Sequence, residues 1–520
     1  MKNFVAITIL LSSLNCWSTI YYVNATTGND ANNGTSVATA LRTIQIGADY
    51  ALAGDTVLVM DGIYRNDPTR GELVYLNKAG NANNWIVFKN YPNHHPKIIF
   101  NTWAAFSIQP GTAFVEINGF EIQGNNDNVT LANALVQFHS CGNPGTENDP
   151  YQPEFNGNGI ASDGRYSDAV FGKPHHIRIL NNIVYDCGGG GISMIQSDYI
   201  TIKNNLVYDN SWYNIFGASG ISIYQSWSSD SNIIDFKNII EGNICHHNRL
   251  FVPWFVGCVI SDGNGIIIDD NLNTQNGSNQ GAYTGKTLVQ NNVIYQNGGS
   301  GIHSYSSQNV TILNNTAYKN SQSVELDNGE IFANSSNNIS IFNNIMFTEN
   351  DNITNSNYNN TNFSFGNNLY FNGTTIELNN VTCINANPIF EDETNKNFHL
   401  QMNSPAINVG SIVNFSSLDF DGITRQNPDI GAFEYQSILS KSDFEKNNNI
   451  KVYPNPTNGI LNIECDLKII KVDVINILGQ KIVLEIKNKT IDLQNLSNGF
   501  YKVLIYDGNK ILTTQSVIKY

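Results

Sequence analysis

The feature that most constrains this chain is a recurring phrase: two asparagines, an aliphatic pair, then an aromatic. It reads Asn181-Asn182-Ile183-Val184-Tyr185, Asn204-Asn205-Leu206-Val207-Tyr208, Asn291-Asn292-Val293-Ile294-Tyr295 and Asn314-Asn315-Thr316-Ala317-Tyr318. Further copies are Asn343-Asn344-Ile345-Met346-Phe347 and Asn367-Asn368-Leu369-Tyr370. From 181 to 204, 291 to 314 and 343 to 367 the spacings are 23, 23 and 24 residues, the period of a solenoid. Each copy follows an alternating strand such as Tyr199-Ile200-Thr201-Ile202-Lys203, in which period two sends one face inward. One repeat is therefore one coil of a parallel β-helix. Asparagine suits the corner because it tolerates left-handed backbone, and its amide can bond to asparagines above and below.

At 520 residues the chain is long enough to bury a continuous solenoid core as one domain. Only 14% of residues are charged and the net charge is −16, which argues against a nucleic-acid partner. Met1-Lys2-Asn3 and the apolar run Phe4 to Leu14 predict a secretory signal peptide over residues 1–18. No later stretch is long and apolar enough for a spanning helix, so an exported or surface-attached monomer is expected. Cys187 and Cys245 fall just past the corner asparagines, where small buried residues belong, and read as core thiols.

The mature start reads strand, polar loop, short amphipathic helix over Ala38 to Leu52, then strand; the helix would cap the open end of the solenoid. This opening resembles that of secreted right-handed parallel β-helix proteins, including many polysaccharide lyases. Asn427-Pro428-Asp429-Ile430-Gly431-Ala432-Phe433-Glu434-Tyr435 is similar to the closing segment of the same group, which sets the β-helix domain at 19–436. A polar linker follows at 437–449. Val452-Tyr453-Pro454-Asn455-Pro456-Thr457-Asn458-Gly459 then opens a short alternating β domain, 450–520. It resembles the C-terminal sorting domain of the type IX secretion system of Bacteroidetes, a small β-sandwich. That resemblance implies Gram-negative export to the cell surface or medium through the type IX machinery. The whole is thus expected to be all-β.

A second repeat marks one strand of each coil: Gly191-Ile192-Ser193-Met194-Ile195, Gly220-Ile221-Ser222-Ile223-Tyr224, Gly265-Ile266-Ile267-Ile268-Asp269, Gly301-Ile302-His303-Ser304-Tyr305 and Gly329-Glu330-Ile331-Phe332-Ala333. Alternation sends the first residue after Gly inward and the second and fourth outward. The outward columns are Ile195, Tyr224, Asp269, Tyr305, Ala333 and, beside it, Ser193, Ser222, Ile267, His303, Ile331. The coils next to this patch carry long insertions, which on a regular scaffold build binding walls. They hold His246-His247, Arg249, Pro253-Trp254-Phe255 and Ser261-Asp262-Gly263-Asn264, then Asp269-Asp270-Asn271 onward.

Pro174-His175-His176-Ile177-Arg178, Gly220 to Trp227 and Ser261 to Asn271 resemble bacterial β-helix proteins allied to alginate and pectate lyases. The resemblance implies β-elimination on a uronate-containing anionic polysaccharide such as alginate, ulvan or pectate. A base removes the C5 proton, an acid protonates the leaving O4, and positive charge steadies the carboxylate. On the outward columns Tyr224 is the first candidate for proton transfer and His303 the next, with Arg249 as carboxylate neutraliser. Gln225, Trp227, Trp254, Asn264, Tyr305, His246 and His247 are candidate substrate contacts. Asp262, Asp269 and Asp270 are candidate Ca²⁺ ligands, since that ion takes clustered oxygen donors. Many lyases of this fold use Lys or Arg as base, but no lysine falls on the outward columns. Three alternatives stay open: a uronate dehydratase with the same proton abstraction, a glycoside hydrolase pairing Asp262 with Asp269, and a non-catalytic glycan-binding surface protein.

Overall fold

The computed structural model describes residues 18–66, 71–137, 152–168, 171–349, 352–436, 450–464, 471–476, 481–507 and 510–520. Residues 1–17 of the expected signal peptide, the linker 437–449, and Cys16, Cys141 and Cys465 lie outside the described residues. The chain divides into two compact units, Met1–Tyr435 and Gln436–Tyr520.

In the first unit three parallel sheets run side by side. Sheet 1 has 11 strands, from Ile20–Val23 to Thr361–Gly366. Sheet 2 also has 11, from Ile63–Arg65 to Ile384–Asn385, and sheet 3 has 10, from Glu72–Leu76 to Thr375–Ile376. Each coil contributes one strand to each sheet in turn, and each strand pairs with its equivalent on the next coil, as Ile183–Tyr185 does with Leu206–Tyr208. This is the right-handed β-helix that the repeat predicts. Period two fills the interior: Ile177, Ile179, Ile200, Ile202, Ile240, Val289, Ile312 and Ile341 are buried in one continuous core.

The corner asparagines divide their labour. The first of each pair takes the left-handed turn, with φ of 55° at Asn181, 57° at Asn204, 54° at Asn291 and 51° at Asn314. The second points inward and forms an amide ladder from Asn182 through Asn205, Asn243, Asn292, Asn315 and Asn344 to Asn368, with Nδ2 to Oδ1 distances of 2.9–3.1 Å. A second ladder, Asn210, Asn248, Asn297 and Asn320, lines the turn between sheets 2 and 3. Its signal was present as a further asparagine five residues after Asn205, Asn243, Asn292 and Asn315.

The second ladder explains the glycines that open the sheet 3 strands. A Cβ on Gly220 would stand 2.6 Å from Asn248 Nδ2, and one on Gly301 2.8 Å from Asn320 Nδ2. On the next coil the ladder ends, and the Glu330 carboxylate takes its place, accepting from Asn320 Nδ2 at 2.6 Å. Glu330, not Gly329, therefore pairs with the glycine row, since Ile302 aligns with Ile331. The expected columns are corrected there: a one-residue slip exchanges faces, so Ile331 and Ala333 are core and Phe332 and Asn334 face outward.

A helix at Ile44–Tyr50 caps the N-terminal end, burying Ile44 and Ala48. The segment ending at Tyr435 does not stack on the last coil. It straps the outside of the sheet 1–2 corner, where Asn314 Nδ2 donates to Asp429 O at 3.1 Å and Gly431 N to Asn343 O at 2.7 Å. Cys187 and Cys245 are buried free thiols, as expected, and Cys258 is disulfide-bonded.

The second unit holds two four-stranded antiparallel sheets around its own core of Leu461, Ile463, Val472, Val474, Ile491, Val503, Ile505 and Val517.

Candidate active site

The site face is the outer surface of sheet 3, on strands β1 (Asn158–Asp163), β2 (Ile192–Ile195), β3 (Ile221–Tyr224), β4 (Ile266–Asp269), β5 (Ile302–Tyr305) and β6 (Ile331–Asn334). Their register places Asp163, Ile195, Tyr224, Asp269, Tyr305 and Asn334 in one column. Beside it run Ser193, Ser222, Ile267, His303 and Phe332.

Tyr224 Oη accepts from Asn276 Nδ2 at 2.7 Å. Burial, reinforced by Asp269 and Asp270, pushes its phenol up to about 12, against the opposing pull of Asn276 and Arg165. It is a proton-bearing group. Burial, with Asp262 and Asp270 nearby, holds the Asp269 carboxyl well above the usual carboxylate range. Burial also raises Asp262, whose Oδ2 accepts from Ser261 Oγ at 2.5 Å. His303 is buried against Phe332, ring centroids 4.6 Å apart, and burial lowers its imidazole to about 3.

Two cations from the loop after β1 approach this column, and sequence reasoning missed both. Arg165 forks onto Asp163, with Nη2 2.6 Å from Oδ2, and lies in the field of Tyr224. Lys173 Nζ donates to Gln196 Oε1 at 2.6 Å and to Gly164 O at 2.8 Å, and burial lowers its ammonium. Lys173 also lines an open cavity of about 390 Å³ with Trp227, Ser228, Gln280 and Thr284. That volume lies in the range of small-ligand sites. The Trp227 indole is fixed by a hydrogen bond to Pro174 O at 3.4 Å. Neither cation carried a repeat signal, because both sit on an aperiodic loop.

A buried ion pair braces the cavity walls. Lys237 Nζ lies 2.8 Å from Asp198 and 2.9 Å from Asp230, and Tyr283 Oη donates to Asp198 Oδ1 at 2.7 Å. Ser229 donates to the same carboxylate, so one anion ties the 227–235 loop to the 271–285 loop.

Several expected contacts stand elsewhere or are already occupied. His246 is on sheet 2, stacked between Tyr208 and Tyr295 at 4.9 and 4.7 Å, with His247 beside it; both belong to an aromatic ladder on a different face. Gln225 is buried and bonds Gln196, Asp270 and Gln275 O. Asn264 is buried, donating to Ser219 Oγ and accepting from Ser300 N. Asp270 accepts from Thr274, Gln275 and Gln225, which occupies both carboxylate oxygens in a turn. Among the described residues no three His, Cys, Asp or Glu side chains converge to hold a metal ion, so the Asp262–Asp269–Asp270 ligand set does not form. Arg249 lies on the turn between sheets 2 and 3, its guanidinium 5.2 Å from the Phe251 ring and its Cγ against Gly298. Trp254 packs over Gly257 in the neighbouring wall, which a small cluster of Ala134, Phe155, Tyr213, Ile215 and Val252 anchors.

Residues 451–519 match the family model of the secretion system C-terminal sorting domain, in agreement with the resemblance at Val452–Gly459. No curated protein matches the chain. Among solved structures, pectate lyase Pel9A aligns at 17% identity over 81% of this chain and 97% of that one, with a TM-score of 0.47. A lacto-N-biosidase from Eubacterium ramulus aligns at 13% identity over 68% and 56%, with a TM-score of 0.37. An alginate lyase from Paenibacillus sp. aligns at 13% over 66% and 96%, with a TM-score of 0.34. These are likenesses of architecture and leave the chemistry to the site.

Proposed function

We propose that the β-helix is an exported polysaccharide lyase that cleaves a uronate-containing glycan by β-elimination. The observation that carries this reading is the cavity of about 390 Å³ lined by Lys173 and Trp227, with the Lys173 amine bonded to Gln196, next to Ile195 of the Tyr224 column. An amine whose proton affinity is lowered by burial is suited to act as base. A phenol that keeps its proton is suited to act as acid.

In the proposed reaction the Lys173 amine takes the C5 proton, the freed electron pair forms the C4–C5 double bond, and the C4–O bond breaks. Tyr224 Oη protonates the departing oxygen. Arg165, whose fork on Asp163 leaves Nη1 among its remaining donors, steadies the negative charge that builds on the uronate carboxylate. Trp227 offers a face for the sugar ring.

Glycoside hydrolysis is the second reading, favoured by the proton-holding Asp269 carboxyl. It needs an ionised partner, and burial raises Asp262 as well.

The test is to incubate the protein with alginate, polygalacturonate, ulvan and glucuronan, with and without chelator. Ultraviolet absorbance with shortened chains is expected. Absorbance with loss of water alone would indicate the dehydratase, reducing ends without absorbance the hydrolase, and binding without product the surface-protein reading. Loss of activity in chelator would restore calcium at Asp262 and Asp269.

A further inference from the structure

Tyr224 divides the outer face of sheet 3 into a half that Lys and Arg side chains approach and a half whose columns carry neither. One and two coils toward the N-terminus stand the Lys173 side chain, bonded to Gln196, and the Arg165 guanidinium on Asp163. One coil toward the C-terminus stands Asp269, with Asp262 and Asp270 in its field, and one coil further on His303 and Tyr305. Coils are about 4.8 Å apart, so neighbouring sugars of one chain laid along the column would meet the two halves in succession. Arg249 is at the far edge, on the turn between sheets 2 and 3, and makes no ion pair with these carboxylates among the described residues.

The C-terminal half also holds unmet hydrogen-bonding capacity. His303 is 7% exposed, yet among the described residues neither ring nitrogen has a partner. Buried polar groups left unpaired are costly. A neutral imidazole offers one donor and one acceptor, which suits sugar hydroxyls. A uronate carboxylate placed here would find no cation among the described residues to neutralise it.

We infer that, within the lyase reading, the groove takes a heteroglycan, with a uronate over Arg165 and Lys173 and a neutral, hydroxyl-bearing sugar over Asp269 and His303. The uronate supplies the acidic C5 proton. The sugar across the scissile bond carries no charge.

The experiment compares the full chain on two sets of oligosaccharides of equal length, one alternating uronate with neutral sugar, the other uronate throughout, by absorbance of the unsaturated product. The expected kcat/KM is about a hundredfold higher on the alternating set, the scale of burying a carboxylate without a partner. Equal or faster cleavage of the homopolymer by the wild-type chain would overturn the inference while leaving the lyase reading standing. Absorbance from neither set, with the far-ultraviolet circular dichroism of a folded chain, would remove both.

Discussion

At the scale of single residues the proposed reaction depends on two groups whose proton affinities burial moves in useful directions. Lys173 loses its proton more readily than an ordinary lysine, while Tyr224 holds its own up to about 12. If the amine is the base and the phenol the acid, kcat rises with pH on a limb set below the usual lysine value of 10.5. It should show no falling limb until about 12; a bell centred near neutrality would exclude this pair. Tyr224→Phe removes the acid and Lys173→Arg replaces the base with a group that stays protonated. Each should lower kcat by about 10²- to 10⁴-fold with circular dichroism unchanged. Tyr224, Asp269 and Tyr305 were legible in the sequence because strand alternation fixes which residues face outward. Gln225, Asn264 and Asp270 share that neighbourhood in sequence, yet their amides and carboxylate are occupied by turns, a distinction set by hydrogen bonds that alternation does not encode.

At the scale of elements, the corners hold the coils in register. Asn292 is buried, and its Oδ1 accepts from both Asn243 N and Asn243 Nδ2. Asn292→Ala strands the Asn243 N–H, while Asn243 Nδ2 keeps Ile202 O and Glu241 O, a loss of about 1–3 kcal/mol read as a lower denaturant midpoint. Glu330, where the second ladder ends, is pushed up to about 8, chiefly by burial. Its folded value exceeds its unfolded one, so its contribution is full below about 4.5 and is lost as pH rises through about 8. Glu330→Gln keeps an acceptor for Asn320 and should flatten the pH dependence of the midpoint across that window. In the cavity walls, Lys237→Ala leaves the Asp198 carboxylate buried and unpaired, a loss of about 3–5 kcal/mol. Because Asp198 ties both wall loops, partial repacking should appear as a raised KM more than a lowered kcat. The sequence showed that long insertions flank the site strand, but not that a buried ion pair joins them, since Asp198, Asp230 and Lys237 lie on three different segments.

At the scale of the whole molecule, each unit has its own core, and residues 451–519 belong to a secretion sorting domain. Deleting 451–519 should leave the β-helix active when purified from the cytoplasm and abolish its appearance at the surface or in the medium of a host with the matching secretion system. Cell fractionation and a substrate assay read the two outcomes separately. The amino-acid sequence by itself determined the period, the parallel coils and the inward and outward faces of the site strand. These follow from contacts between equivalent positions of successive coils, so they repeat in the sequence as they do in space. Only the tertiary structure decided that Arg165 lies in the field of Tyr224 and Lys173 against Gln196, that His246 belongs to a different sheet, and that the strand ending in Asn334 is registered one residue from its Gly-based alignment. Those outcomes depend on how aperiodic loops fold back over the helix and on where a ladder of amides ends, and each is fixed by packing between segments that share no repeat.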